Sequence, residues 1–223
     1  MSKSNCLQSF CKFLKDIELK DDEVNDFVLC FRGQASKQWK IEPSILRKGN
    51  ENISRNFSRI LEEAKSFYPN EFSDSKFENL AKLQHYGIPT ILLDVSFNAL
   101  VSLYFAVQDS GHNNGCVFAY KIPVSNMKIG YENISDNNSE KKMILVKPTE
   151  FNLNIRIHSQ AGAFLYLDNE DWSIPQDWLI GNVEIPFSSK TKIQNELRLL
   201  NISSKTIIPE FSEYHKEIER LYK

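Results

Sequence analysis

Three stretches of this chain put polar, hydrogen-bonding side chains where an apolar run should be building a core. The first is Phe31-Arg32-Gly33-Gln34, which ends the run Phe27-Val28-Leu29-Cys30-Phe31. A strand that delivers an arginine at its end presents a planar donor fork suited to phosphate or carboxylate. The structural alternative is a buried Arg32 bridging to a carboxylate such as Asp94. If the strand continues, Gln34 shares a face with Arg32.

The second stretch is Gln84-His85-Tyr86-Gly87-Ile88-Pro89-Thr90-Ile91-Leu92-Leu93-Asp94. His85 could serve as general acid/base or as donor to a ribose or phosphate. It could equally be a satisfied core histidine holding the strand that follows. Gln84, Tyr86, Thr90 and Asp94 converge on the same helix-turn-strand. A carboxylate closing an Ile-Leu-Leu run is costly unless paired or hydrogen-bonded. Pairing with Arg32, or capping a helix that begins near Phe97, are the structural options for Asp94, and either would shape a pocket.

The third is Arg156-Ile157-His158-Ser159-Gln160-Ala161-Gly162-Ala163-Phe164. Its small residues let the backbone run close to a ligand, and Gln160 can both donate and accept. Tight packing of a turn against a sheet explains the same residues. There is no nucleophile elbow, Walker loop, HExxH or paired-carboxylate motif. Lys141, Lys142, Lys190 and Lys192 read as solvated faces.

The elements that must position these residues follow from apolar spacing. Leu7, Phe10, Cys11, Leu14 and Ile17 predict an amphipathic helix over 6–20. Residues 27–32 read as a buried strand, followed by a loop from Gln34 to Arg47. Ile53, Phe57, Ile60, Leu61, Ala64 and Tyr68 predict one helix, stopped by Pro69. Phe77, Leu80, Ala81 and Gln84 predict another, closed by Gly87 and Pro89. Strands are expected at 90–95, 116–121, 143–147, 163–167 and 183–187. Ser96 or Asn98 can cap an apolar helix running to Val107, and the serines before Lys190 can cap another. A final helix is expected over 210–222, and the polar stretch 130–142 reads as a mobile surface insertion. With no repeat, linker or boundary, 1–223 is read as a single domain of the α+β class.

With 223 residues, 27 basic and 29 acidic, the net charge is −2, which implies no broad nucleic-acid surface. A local groove remains compatible with that balance. Fifteen Phe, eight Tyr and three Trp supply bulk for a core. Cys6, Cys11, Cys30 and Cys116 form no CxxC pair, and no two of the four His stand at metal-ligand spacing, so no metal is expected. Cys30 and Cys116 read as small core hydrophobes, which suits a reducing compartment. No signal peptide or bilayer-spanning run is expected, and the chain reads as cytoplasmic with no membrane partner.

The three stretches together resemble the FRG domain, a bacterial and phage-associated family named for the Phe-Arg-Gly motif seen here at Phe31-Arg32-Gly33. The family's Gln-His-Tyr-Gly-x-Pro-Thr-x-Leu-Leu-Asp run falls at Gln84–Asp94, followed by an apolar helix through Tyr104-Phe105-Ala106. Its Arg-x-x-x-Gln-x-Gly-Ala-Phe run falls at Arg156–Phe164. Ile91 stands where the family usually has Arg, and Val95 where it usually has Trp.

This motif order is similar to that of the ADP-ribosyltransferase fold, which implies a split mixed or antiparallel sheet with flanking helices. By that resemblance NAD is the substrate, and Arg32 holds its phosphate or ribose. Arg32, His85 and Gln160 would form the catalytic set, with Gly33, Gln34, Tyr86, Thr90, Asp94 and Arg156 contributing to dinucleotide binding. Tyr86 or Phe105 could stack on nicotinamide. Gln160 lies near the late position where better-known transferases carry glutamate, so by the resemblance either Glu184 or Glu196 fills that role, or this branch works without such an acid, or it does not catalyse.

The resemblance therefore implies a toxin or anti-phage effector modifying RNA, DNA or protein, with an antitoxin as a candidate partner. The alternative is a noncatalytic nucleotide- or nucleic-acid-binding module of a defence system, favoured by the missing glutamate. A metal-independent nuclease using His85 and His158 is a further option.

Overall fold

The unbroken apolar run Phe27–Phe31, packed on both faces, builds the central strand β2 of the protein. The computed structural model describes residues 2–3, 5–108, 111–130, 142–148, 155–167 and 171–209. Around β2 (Phe27–Gln34) lie β1 (Ser2–Lys3), β3 (Leu93–Ser96), β4 (Gly115–Pro123), β5 (Met127–Ile129), β6 (Ile144–Lys147), β7 (Gly162–Tyr166) and β8 (Leu179–Ile185). They form one eight-stranded sheet in the order β1-β8-β4-β2-β3-β7-β6-β5. Pairs β1/β8 and β5/β6 are parallel and the others antiparallel, so the sheet is mixed. Its helices are α1 (Leu7–Asp16), α2 (Glu51–Arg55), α3 (Phe57–Phe67), α4 (Lys76–His85), α5 (Ala99–Ala106), α6 (Ile155–Ser159), α7 (Lys190–Leu199) and α8 (Ser204–Ile207). The class is α+β, as the mixture of short strands and separate helices predicts.

The joint between β2 and β3 controls the site. Strand β2 pairs with β4 along its whole length, from Phe27↔Pro123 to Gln34↔Cys116. With β3 it makes one rung, Phe31↔Ser96. Where the next rung would fall, the Arg32 guanidinium donates instead to the Asp94 carbonyl at 2.6 Å. The sheet is thus continuous but opens as a wedge between Arg32–Gln34 and Leu93–Val95.

Both faces of β2 are covered. Leu29 and Phe31 pack with Phe10 and Phe13 of α1, Leu103 and Ala106 of α5, and Ile193 and Leu197 of α7. Val28 and Cys30 pack on the other face with Tyr120, Ile122, Leu93, Leu165, Trp172 and Trp178. A third cluster fixes α4, where Phe77 meets the rings of Phe164 and Tyr166 edge-on at 5.9 and 5.5 Å. Burial pushes the thiols of Cys30 and Cys116 up, the latter to about 12, in keeping with core positions.

Helix α5 lies hard against the sheet. A Cβ on Gly33 would sit 1.7 Å from the Ser102 carbonyl oxygen, and one on Gly115 would sit 2.0 Å from that of Ala106. Asn98 caps α5 by accepting from Leu100 N at 2.9 Å. The other end is closed from α7, against the expectation that Lys190 is solvated. Lys190 is 4 % exposed and donates to the carbonyls of Ala35 (2.7 Å) and Gln108 (2.9 Å). Gln194 donates to the Val107 carbonyl at 2.7 Å. A cation and an amide thus occupy carbonyls that the helix terminus leaves open.

Several boundaries differ from the expectation. Helix α1 stops at Asp16. The helix expected across 53–68 breaks at Asn56, whose side chain donates to the Asn52 carbonyl at 2.8 Å and so competes with the backbone ladder. The strand expected from Thr90 begins at Leu93, because the Thr90 hydroxyl accepts from Leu92 N at 3.2 Å and forms a turn. Ser189 makes no side-chain cap to α7, since its φ of −98° and ψ of −12° are already near-helical. Strands β1 and β5 are too short to show a period. The helix expected over 210–222 lies outside the described residues, as does the 130–142 stretch except for its ends. Among the described residues, no helix is long and apolar enough to cross a membrane, and no group of three or more His, Cys, Asp or Glu could hold a metal.

Candidate functional site: a cavity in the sheet wedge

The wedge opens into a cavity of about 240 Å³, walled by β2, β3 and β7 and by α4, α5 and α6. All three sequence stretches reach it. Phe31, Arg32 and Gly33 come from the first, Gln84, His85 and Asp94 from the second, and Arg156, Gln160 and Phe164 from the third. Ser96, Ser102 and Phe105 complete a lining of cationic, amide, hydroxyl and aromatic groups.

Arg32 is the pivot. Beyond its bond to the Asp94 carbonyl, its Nε is buried and has no hydrogen-bond partner. Burial pulls the guanidinium below its ordinary pKa, the nearby Asp94 and Tyr120 push it back up, and Arg47 adds to the lowering. An incoming anion would relieve this cost, because opposite charge favours the cation. Of the two structural options for Asp94, the ion pair with Arg32 is replaced by this main-chain contact. The Asp94 carboxylate instead accepts from Gln84 Nε2 at 2.8 Å, while Gln84 Oε1 accepts from the Thr90 hydroxyl. Thr90, fully buried, therefore orients Gln84, which in turn orients Asp94.

Gln160 is fixed from two sides. Its Nε2 donates to the Ile207 carbonyl at 3.2 Å, and its own carbonyl accepts from the Ser96 hydroxyl at 2.6 Å. Oε1 is left without a donor among the described residues. Ala161 follows at φ 45°, the left-handed turn that brings α6 back into β7. The bland reading of this stretch, a tight turn on the sheet, and the cavity-lining reading both hold.

Three expected residues are not brought to this cavity. Gln34 is 3 % exposed and donates to the Lys40 carbonyl at 3.2 Å. Tyr86 is 69 % exposed at the end of α4, its ring edge-on to His85 at 5.2 Å. Thr90 acts only through Gln84. Gly33 lines the cavity, but its missing side chain is required by α5. His158 is absent from the lining, so it does not join His85 there.

Neither glutamate considered as a late acid lies here. Glu184 accepts from Lys37 Nζ at 3.0 Å and from the Asn114 amide, which hold its pKa below the ordinary range. Glu196 accepts from the backbone N–H of Leu7 at 2.7 Å. Asp94 is the sole carboxylate among the lining residues.

A second chamber of about 220 Å³ shares Arg32, Gln84 and Asp94 with the first. Ser44, Arg47 and the Gly87-Ile88-Pro89 turn complete its polar and backbone edge. Ser44, Arg47 and Ser102 carry no motif, and their positions depend on where the loop and α5 fold back.

A family model for the FRG domain matches residues 28–115, from β2 into the first residue of β4. Over this span, which is less than half of the chain, the sequence is similar to the FRG domain family. The matched span includes Phe31-Arg32-Gly33 and Gln84–Asp94, whereas α6 and β7 supply the cavity wall from outside it. No curated protein and no solved structure matches the chain.

Proposed function

We propose that the wedge is a nucleotide site and that the protein is an NAD-dependent ADP-ribosyltransferase acting as a toxin or anti-phage effector on nucleic acid or protein. The observation that carries this reading is the half-buried Arg32, whose Nε is buried and unpartnered between two chambers. A guanidinium in that state favours a polyanion, and the flanking volumes suit the two halves of a dinucleotide better than one compact ion.

In the proposed reaction the nicotinamide–ribose C–N bond breaks, its electron pair leaves with nicotinamide, and positive charge develops on the ribose. Arg32 would hold the diphosphate, and Phe105 would pack on the nicotinamide ring. Asp94, oriented by Gln84, would stabilise the ribosyl cation, a task that rewards preorganised negative charge. His85 would receive the proton of the attacking acceptor, and Arg156 and Gln160 would position the sugar. Such an activity would act in the cytoplasm and would need an antitoxin in its host.

A second reading is a noncatalytic nucleotide- or nucleic-acid-binding module, favoured by the lack of glutamate in the lining. Incubating the protein with NAD labelled in its adenylate half and whole-cell lysate separates the two. Transfer of label with release of nicotinamide supports the transferase, and binding without release supports the module. Neither binding nor release would remove both.

A further inference from the structure

The second chamber has a feature that the catalytic reading does not use. Arg47 follows the short 3-10 turn Ser44–Leu46, and Arg32 faces the same space from β2. Two guanidinium groups therefore meet one carboxylate, Asp94, in a chamber of about 220 Å³. That carboxylate is already engaged by Gln84 at 2.8 Å. Arg47 makes one long bond, Nη2 to the Glu42 carbonyl at 3.4 Å, leaving its other donors without a protein acceptor among the described residues. The turn opposite brings Gly87 at φ +83°, with nothing within 4 Å of where a Cβ would be. Bare backbone thus borders the chamber. The Arg47 charge adds to the lowering of the Arg32 pKa, and an anion between the two guanidinium groups would relieve that repulsion.

We propose that this chamber is a phosphate subsite, in which a phosphoryl group is gripped between Arg32 and Arg47. The proposal deepens the nucleotide reading but rests on that reading only for the identity of the ligand. Two sources supply the chemistry: a phosphate of the dinucleotide in the neighbouring cavity, or a phosphate on a separate acceptor. Ser44 is not offered as a ligand, because its hydroxyl already accepts from Thr90 N at 3.1 Å.

The test is calorimetric titration of wild type and Arg47→Gln with inorganic pyrophosphate and, separately, with NAD. Arg47 is exposed, so the variant is expected to keep the wild-type unfolding temperature, and Arg47→Lys should retain part of the binding. Loss of a charge-assisted contact predicts a drop of about tenfold or more in pyrophosphate affinity. An equal drop for NAD assigns the phosphate to the dinucleotide. Unchanged NAD affinity assigns it to a second ligand. If wild type binds pyrophosphate but not NAD, the subsite stands and the NAD reading fails. No pyrophosphate binding by folded wild type, or equal binding by Arg47→Gln, overturns the subsite.

Discussion

A single guanidinium in this molecule does two jobs that are usually separate. Arg32 replaces a rung of the sheet by donating to the Asp94 carbonyl, and it keeps a buried Nε–H without a partner. Its type was legible in the sequence, but the strand expected to end at Arg32 runs on to Gln34, and its contact was not legible either, because pairing with the Asp94 side chain was equally consistent with the spacing. Glu184 shows the reverse case. Read as a spare catalytic acid, it is committed to Lys37 and Asn114. Those bonds hold its folded pKa below the ordinary 4.5, so it contributes stability above that pH and loses it as pH falls through the lower folded value. Urea unfolding across pH 2.5 to 7 should therefore show wild type losing more stability at the acid end than Glu184→Gln. Parallel acid limbs for the two proteins would refute this role.

At the scale of elements, α5 explains why Gly follows Arg in the first motif. The resemblance makes this glycine a contributor to dinucleotide binding, yet its packing partner is a helix whose Ser102 carbonyl would lie 1.7 Å from any Cβ. Backbone on both sides leaves no flexible side chain to yield. Gly33→Ala is accordingly expected to cost about 4 kcal/mol or more, the range of severe overpacking and strain. Thermal unfolding or insoluble expression would register it, and a variant melting within a degree of wild type would show that α5 can move. The apolar run that became α5 was readable, with Ser96 or Asn98 as its cap, and Asn98 is the one that caps it. Lys190 and Gln194 were not readable, since a lysine that opens a helix looks like solvent-facing charge until the start of α7 is seen to close the end of α5.

For the whole molecule, the joint of the sheet with the fewest rungs also borders the candidate site. One rung, Phe31↔Ser96, couples the β1-β8-β4-β2 half to the β3-β7-β6-β5 half, and the three polar stretches gather at the opening beside it. Strand identity was mostly legible because Val, Ile, Leu and Phe cluster between turn residues. Strand order was not, because it depends on long-range pairing that local pattern does not encode. The same limit explains Gln34 and Tyr86. They sit beside cavity residues in sequence but face a loop and solvent once the strand and helix turn.

Binding of NAD to wild type and to Arg32→Lys, followed by calorimetry alongside a thermal-shift control for folding, tests the account most directly. A lysine keeps the charge but loses the planar fork and its reach to the Asp94 carbonyl. The account predicts measurable NAD binding by wild type and a loss of about tenfold or more in a folded Arg32→Lys variant. Absence of NAD binding by wild type at millimolar concentration, or equal affinity in the variant, would contradict it.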